Sequence, residues 1–237
     1  MKAPLPAHES KRLAALREYR ILDTAAEQVY DDLTRLAAHI CGVPIATISL
    51  VDETRQWFKS KVGLNARETP RDISFCAHTI LQSGPLVVTD TRKDKRFADS
   101  TLVTRGPRIR FYAGFPLTSP EGQALGALCA IDRKPRRLSP AQQGAMEALA
   151  RQVMSLLELR RVTDQLAHSL KHVKILRGLL PICAWCRRIR DDRGYWSQVE
   201  EYVRANTEAE FTHGICPQCL EKQRPKKAVV RKAETWP

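Results

Sequence analysis

The sequence predicts an α+β fold: an antiparallel sheet flanked by helices, then a long helix and a small metal-binding module. Three observations predict it. Apolar, β-branched runs of strand length alternate with amphipathic stretches in the order helix–helix–strand–strand–helix–strand–strand–strand–helix. Apolar residues then recur at three- and four-residue steps from Met146 to Leu176. Two Cys-x-x-Cys pairs follow, Cys183/Cys186 and Cys216/Cys219.

Each element has a local reason. Over Ser10–Tyr19, the residues Leu13, Leu16 and Tyr19 fall at helical spacing. Thr24 followed by Glu27 has the form of a capping box for a second helix. Its Val29, Leu33, Leu36, Ala37 and Ile40 repeat at helical steps until Gly42 and Pro44. Ile45–Val51 is a β-branched strand, Asp52–Arg55 a polar turn, and Trp57–Val62 the returning strand. Asp72 and Ser74 can cap a short helix over Phe75–Leu81, which Gly84-Pro85 breaks. Leu86–Thr89, Ile109–Leu117 and Leu125–Ile131 are three further strands, the last two joined through Ser119–Gly122. Ser139-Pro140-Ala-Gln142 starts the long helix, with a capping Ser, Pro at the first helical position and Gln at the third.

The stripe Met146, Leu149, Val153, Leu156, Leu159, Val162, Leu166, Leu170, Val173 and Leu176 advances at nearly the heptad average up to Gly178. To about Leu159 it is expected to pack on the sheet. Beyond that, little globular sequence remains to cover it, so a coiled-coil-like linker and a homodimer are expected. The expected organisation is a sheet domain over 10–160, a helical linker over 161–178, a four-cysteine module over 179–223 and a basic disordered tail over 224–237.

With 43% hydrophobic residues, the 237-residue chain can bury a core, and 27% charged residues argue against wholesale disorder. Its net charge of +13 favours acidic partners, and more than half of the excess lies beyond residue 159. No apolar run is long enough to span a bilayer, so no membrane partner is expected. The first residues lack an export signal, and the odd count of seven cysteines fits a reducing, cytoplasmic setting. Walker, dinucleotide-binding, zincin and nucleophile-elbow motifs are absent.

Seven short motifs occur in order: Leu16–Thr24, Ile48–Asp52, Arg55–Ser60, Glu68–Asp72, Ser74–His78, Arg110–Gly114 and Leu125–Asp132. Together they resemble a bacterial GAF domain of the kind placed ahead of histidine kinases and diguanylate cyclases. The resemblance covers about residues 10–160. It implies a sensory domain with a six-stranded antiparallel sheet and a small-molecule pocket whose ligand is unknown. By position the implied pocket residues are Trp57, Phe75, His78, Asp90, Arg110 and Tyr112. Trp57 and Phe75 read more readily as core, and His78 as a hydrogen-bonded structural residue. Arg110 can clamp an anion or pair with a carboxylate such as Asp90. No cysteine lies between Ala77 and Leu128, where the family attaches bilins, so bilin attachment is not expected. Some family members reduce free methionine sulfoxide, but Cys41, Cys76 and Cys129 sit in apolar contexts where cysteine behaves as a small hydrophobe.

Two Cys-x-x-Cys turns can present four thiolates to one tetrahedral zinc, so Cys183, Cys186, Cys216 and Cys219 are expected to hold structural zinc. A segment this short has too small a core to hold itself, and a metal would supply folding energy. A redox dithiol pair is the alternative, and His213 is a candidate neighbour of the site. The spacer holds an amphipathic helix over Tyr195–Val203, with Trp196, Val199 and Val203 on one face. The segment resembles a short cysteine module appended to bacterial response-regulator, PAS and GAF proteins.

The expected function is a cytoplasmic sensor: the GAF-like domain binds a ligand or partner and signals through a dimerising helix and zinc module to a separate signalling protein. The alternative is a nucleic-acid-binding regulator using Arg187, Arg188, Arg190, Arg193, Lys226, Lys227, Arg231 and Lys232. Too few residues follow His172 for a kinase domain, and no cyclase fits, so no enzymatic activity is expected.

Overall fold

Ile45–Val51 is buried along its whole length, on both alternating sets of side chains. A strand of that kind needs cover on both faces of its sheet. The computed structural model describes residues 2–172, 180–191, 193–207 and 209–223, which divide into two units, residues 1–167 and 168–237. Val173, Leu176, Gly178 and the tail over 224–237, like the side chain of Leu170, lie outside the described residues.

In chain order residues 2–172 contain α1 (Glu9–Glu18), α2 (Gln28–Cys41), β1 (Ile45–Val51), β2 (Arg55–Val62), β3 (Glu68–Pro70), α3 (Cys76–Thr79), β4 (Leu86–Val88), α4 (Thr101–Thr104), β5 (Phe111–Thr118), β6 (Ala124–Asp132) and α5 (Pro140–His172), whose last turn passes the boundary between the units. The strands form one six-stranded sheet in the order β3-β2-β1-β6-β5-β4. Every neighbouring pair is antiparallel.

Alternation assigns the two faces. On β5, Phe111, Ala113, Phe115 and Leu117 join a core with Leu16 of α1, Ala37 of α2 and Met146, Val153 and Leu157 of α5. Tyr112 points the other way and joins Phe75, Cys76, Phe97 and Val103 with Cys129 and Ile131. One face is thus covered by α1, α2 and α5, and the other by α3, α4 and their loops.

The local signals succeed where chemistry is undivided. Ser139 and Gln142 form the capping box of α5: the Ser139 N–H donates to Gln142 (2.9 Å) and the Gln142 N–H to the Ser139 hydroxyl (3.2 Å). Gly42 ends α2 in the left-handed conformation (φ 59°), which favours glycine. Ser74 accepts from the Ala77 N–H (3.2 Å) at the start of α3.

The expected capping box at Thr24 and Glu27 does not form. Glu27 caps α2 without a side-chain bond, and Thr24 donates to the Ile21 carbonyl (2.7 Å). Lys59 takes both groups instead. It stands where the register between β1 and β2 shifts, with Ile48 opposite Ser60 and Ser49 opposite Phe58. Its buried ammonium donates to Thr24 (2.9 Å), the Ala25 carbonyl (2.7 Å) and Glu27 (2.6 Å), above the Tyr30 ring. A buried charge needs such partners, and helix capping is secondary to it.

The sequence reading missed β3 and α4, which are three and four residues long and too short to show a period. The first half of α5 packs as expected. Its later positions Leu159, Val162 and Leu166 are 63%, 52% and 58% exposed.

In the second unit β7 (Ile189–Arg190) pairs with β8 (Trp196–Ser197), and Ile182 bridges to Ile189. Two helices follow, α6 (Val199–Asn206) and α7 (Pro217–Gln223). Trp196 therefore lies on a strand and not on the expected helix over Tyr195–Val203. The Gln198 N–H donates to Glu201 (3.3 Å), which starts the helix at Val199. Among the described residues, no helix is long and apolar enough to cross a membrane.

Lys59→Met should lower the unfolding free energy by about 1–2 kcal/mol in urea denaturation, because it removes a buried donor from three partly solvated acceptors.

Candidate ligand cavity and cysteine module

The face carrying α3 and α4 does not fill completely. A cavity of about 230 Å³ lies against it, walled by Ile45, Phe58, Phe75, Ile109, Tyr112 and Ile131. Its polar groups are few: Gln56, Thr69, Ser74, Cys76 and the Tyr112 hydroxyl. No Lys, Arg, His, Asp or Glu side chain lines it. At about 30 Å³ per water it has room for roughly eight waters, below the size of a drug-sized site.

The walls are held by ring contacts and by a polar column. Phe75 stacks on Phe97 with centroids 4.2 Å apart and tilts against Tyr112 at 5.0 Å. The Tyr112 hydroxyl shares a hydrogen bond with Thr79 (2.6 Å) and donates to the Cys76 sulfur (3.4 Å). It also lies 3.5 Å from the Cys129 sulfur, and the two sulfurs are 3.3 Å apart. Ser74 donates to Gln56 beside them. Gly114 leaves room for the column, since a Cβ there would overlap the Tyr112 and Thr79 hydroxyls.

Burial is the largest influence on all three titratable groups of the column and opposes their ionisation. It pushes Tyr112 and Cys129 well up, and neighbouring Cys76 adds to the effect on both. For Cys76, hydrogen bonds from Cys129, Tyr112, Ser49 and Ser74 outweigh burial and hold the thiol below its ordinary value.

Of the six positions expected to form the pocket, Phe75 and Tyr112 line this cavity. His78 is buried behind them, edge-on to Phe97 at 4.8 Å. Trp57 packs on the opposite face, in the core beneath α2. Asp90 and Arg110 do not pair with each other. Asp90 accepts two bonds from the Arg92 guanidinium (3.0 and 2.8 Å) and one from its backbone N–H (3.1 Å). Arg110 donates to the carbonyls of Val103 (2.9 Å) and Ile109 (3.0 Å), which ties the end of α4 to β5. The sequence reading missed Gln56, Ser74 and Cys76 as cavity residues. Period-two alternation along β2 could have found Gln56 and Phe58, because it sets them opposite Trp57.

In the second unit the first cysteine of each Cys-x-x-Cys turn meets backbone N–H groups of its own turn. The Cys186 N–H reaches the Cys183 sulfur (3.5 Å), and the Cys183 N–H donates to the Arg188 carbonyl (2.8 Å). Backbone N–H groups of Cys186 and Trp185 pull the Cys183 thiol below its ordinary value, and that of Cys219 does the same for Cys216. Among the described residues, no three His, Cys, Asp or Glu side chains are grouped to hold a metal ion.

The antiparallel sheet, its two helical covers and a small cavity beneath the shorter cover define a sensory-type α+β domain. A family model described as GAF domain matches residues 25–157, and the chain belongs to that family. A cyclic di-GMP phosphodiesterase of Pseudomonas aeruginosa is 42% identical over 162 residues, which are 68% of this chain and 28% of the relative. The chain thus matches less than a third of that relative's length. The blue-light-absorbing form of the PixJ GAF domain of Thermosynechococcus elongatus superposes with a TM-score of 0.51 at 17% identity, over 68% of this chain and 96% of that one. This likeness shows the fold. The free methionine-R-sulfoxide reductase of Neisseria meningitidis in complex with its substrate has a TM-score of 0.48 at 16% identity, over 68% and 98% of the two chains.

The expectation that no enzyme is involved is corrected by the Pseudomonas relative, which is named as one. Missing kinase, cyclase and hydrolase motifs were a poor guide, because they speak only of the motif families looked for.

The Arg92 guanidinium bonded to Asp90 holds that carboxyl at about 2, against about 3.9 for an unfolded Asp. A depressed carboxylate stabilises the fold fully above about pH 4 and loses that contribution as pH falls towards 2. Thermal melts of Asp90→Asn should show a shallower fall in stability across that window than the unmodified chain.

Proposed function

We propose that this GAF domain is the ligand-responsive regulatory part of an enzyme system that degrades cyclic di-GMP. The observation that carries the sensing half is the 230 Å³ cavity bounded by α3, the sheet and the Leu102–Ile109 segment. The 42% identity to the Pseudomonas phosphodiesterase supports the output half. The ligand that suits the cavity is small, neutral and largely apolar, with one or two groups to meet Ser74, Gln56 or Tyr112. A cyclic dinucleotide brings two phosphates and far more volume, and no cation lines the cavity to receive them. The domain therefore regulates the turnover of that messenger from a site that does not bind it.

We further propose that the exposed Leu159, Val162 and Leu166 stripe of α5 pairs with a second copy. An uncovered stripe of this kind is costly in water, and its spacing suits a helical seam. Structural zinc on Cys183, Cys186, Cys216 and Cys219 is supported by the donor set, since two of the thiols are already lowered by backbone N–H groups.

Thermal shift against small neutral aromatics such as indole should reveal stabilising ligands, and cyclic di-GMP should give no shift. Ile131→Phe, which fills the cavity, should weaken the best hit at least about tenfold. A stabilising shift with cyclic di-GMP that survives Ile131→Phe would sink the reading.

Native mass spectrometry should find a dimer with one zinc per chain. Leu159→Glu with Leu166→Glu should give a zinc-loaded monomer, and Cys183→Ser with Cys219→Ser a dimer without the metal.

A further inference from the structure

Cys76 and Cys129 are the two cysteines that contact each other across the fold, one at the start of α3 and the other at the centre of β6. A buried cysteine ordinarily behaves as a small hydrophobe, as Cys41 does on the opposite face, where burial pushes its thiol up to about 11. The setting of this pair differs. The Tyr112 hydroxyl lies 3.4 and 3.5 Å from the two sulfurs, and Thr79 holds that hydroxyl in place. Cys76 also forms part of the wall of the cavity, whereas Cys129 stands behind it. Cys76 thus belongs to the cavity wall with its sulfur hydrogen-bonded, and the second sulfur lies 3.3 Å away.

We propose that Cys76 and Cys129 are a dithiol–disulfide pair oxidised by an organic hydroperoxide that enters the apolar cavity. Cys76 is the attacking thiol. Its sulfur bonds to the terminal oxygen of the hydroperoxide and the O–O bond breaks. The alkoxide leaves as the alcohol with the proton of the Cys76 thiol, giving a sulfenic acid on Cys76. The Cys129 sulfur then attacks the Cys76 sulfur, the S–O bond breaks, and hydroxide leaves as water with the Cys129 proton. Two thiols and one hydroperoxide become one disulfide, one alcohol and one water. The two electrons go to the peroxide oxygen.

Bond formation requires the sulfurs to close by roughly 1.2 Å, since a disulfide is about 2.05 Å long. The movement falls on α3, because β6 is paired to β1 and β5 on both sides. α3 carries Cys76 into the sheet and takes the Tyr112–Thr79 bond with it, which reshapes the cavity wall. The inference goes beyond the ligand reading and needs only the opening of the cavity to Cys76, whatever else binds there.

The test treats the reduced full chain with one equivalent of cumene hydroperoxide, alkylates the remaining thiols and maps the peptides without reduction. A cross-linked Cys76–Cys129 peptide pair should form, two hydrogens lighter than the separate peptides, and dithiothreitol should remove it. Cys41 should stay alkylatable and serve as the buried control. Recovery of Cys76 and Cys129 as alkylated thiols alongside Cys41 overturns the proposal, as does a cross-link from either to another cysteine. In Cys129→Ser the reaction should stop at the sulfenic acid, so dimedone labelling of Cys76 should rise about tenfold over the unmodified chain. A Cys129→Ser protein with an unchanged melting profile and no such label overturns the role given to Cys76. The unmodified-chain mapping decides the pair even where the variant does not fold. Failure of indole or other ligands to bind would leave this result untouched, so the two readings fail separately.

Discussion

Everything in the first unit follows from the burial of β1 on both faces. A central strand with no exposed residue forces its neighbours β2 and β6 to be covered on both sides as well. The helical cover is built from α1, α2 and α5 and meets the sheet in a core that holds Leu16, Ala37, Met146 and Leu157. The other cover consists of two four-residue helices and loops, which cannot present a continuous apolar stripe. Aromatic rings stack there to make up the volume, and the remainder is the cavity. The site is thus the place where short elements leave one face of the sheet incompletely filled.

The same constraint decides where charges go. Lys59 is a fully buried cation on the helical side, and three acceptors and the Tyr30 ring are arranged around it. On the cavity side the polar groups that line the opening or stand beside it are hydroxyls, an amide and two thiols. Arg92 and Arg110 keep their guanidinium groups on Asp90 and on backbone carbonyls, outside the cavity lining. Such an interior favours neutral ligands because a charge moved into it would lose water without gaining a partner.

Much of the fold was legible. The capping box at Ser139, the terminator at Gly42 and the strand alternation each depend on a few adjacent residues, and each appears where expected. Thr24 and Glu27 carried the same kind of local signal and misled, because their partner Lys59 lies about thirty residues further on, where the register shifts. The site was legible only in part for the same reason. Phe75 and Tyr112 lie within motifs that mark the cavity, but the position of Trp57 in the family pattern hides the face it occupies. Asp90 and Arg110 form plausible partners on charge alone; Arg92, two residues from Asp90, is simply nearer. The contact between Cys76 and Cys129 is non-local and carries no sequence signal.

Alternation along β5 also supplies the physical route from the cavity to the long helix. Tyr112 faces the cavity, whereas Phe111 and Ala113, its covalent neighbours, face the core that includes Met146 and Val153 of α5. A displacement of the Tyr112 backbone is therefore a displacement of residues packed against α5, with no intervening loop to absorb it. A ligand or a disulfide biases α5 only by the difference in its free energy between two arrangements of this strand. Dense packing on the helical side favours a few discrete arrangements over continuous yielding. A sensor of this design should then be most responsive to changes at Tyr112 and its thiol neighbours. Changes at the rim of the cavity, where loops can give way, should alter affinity more than output.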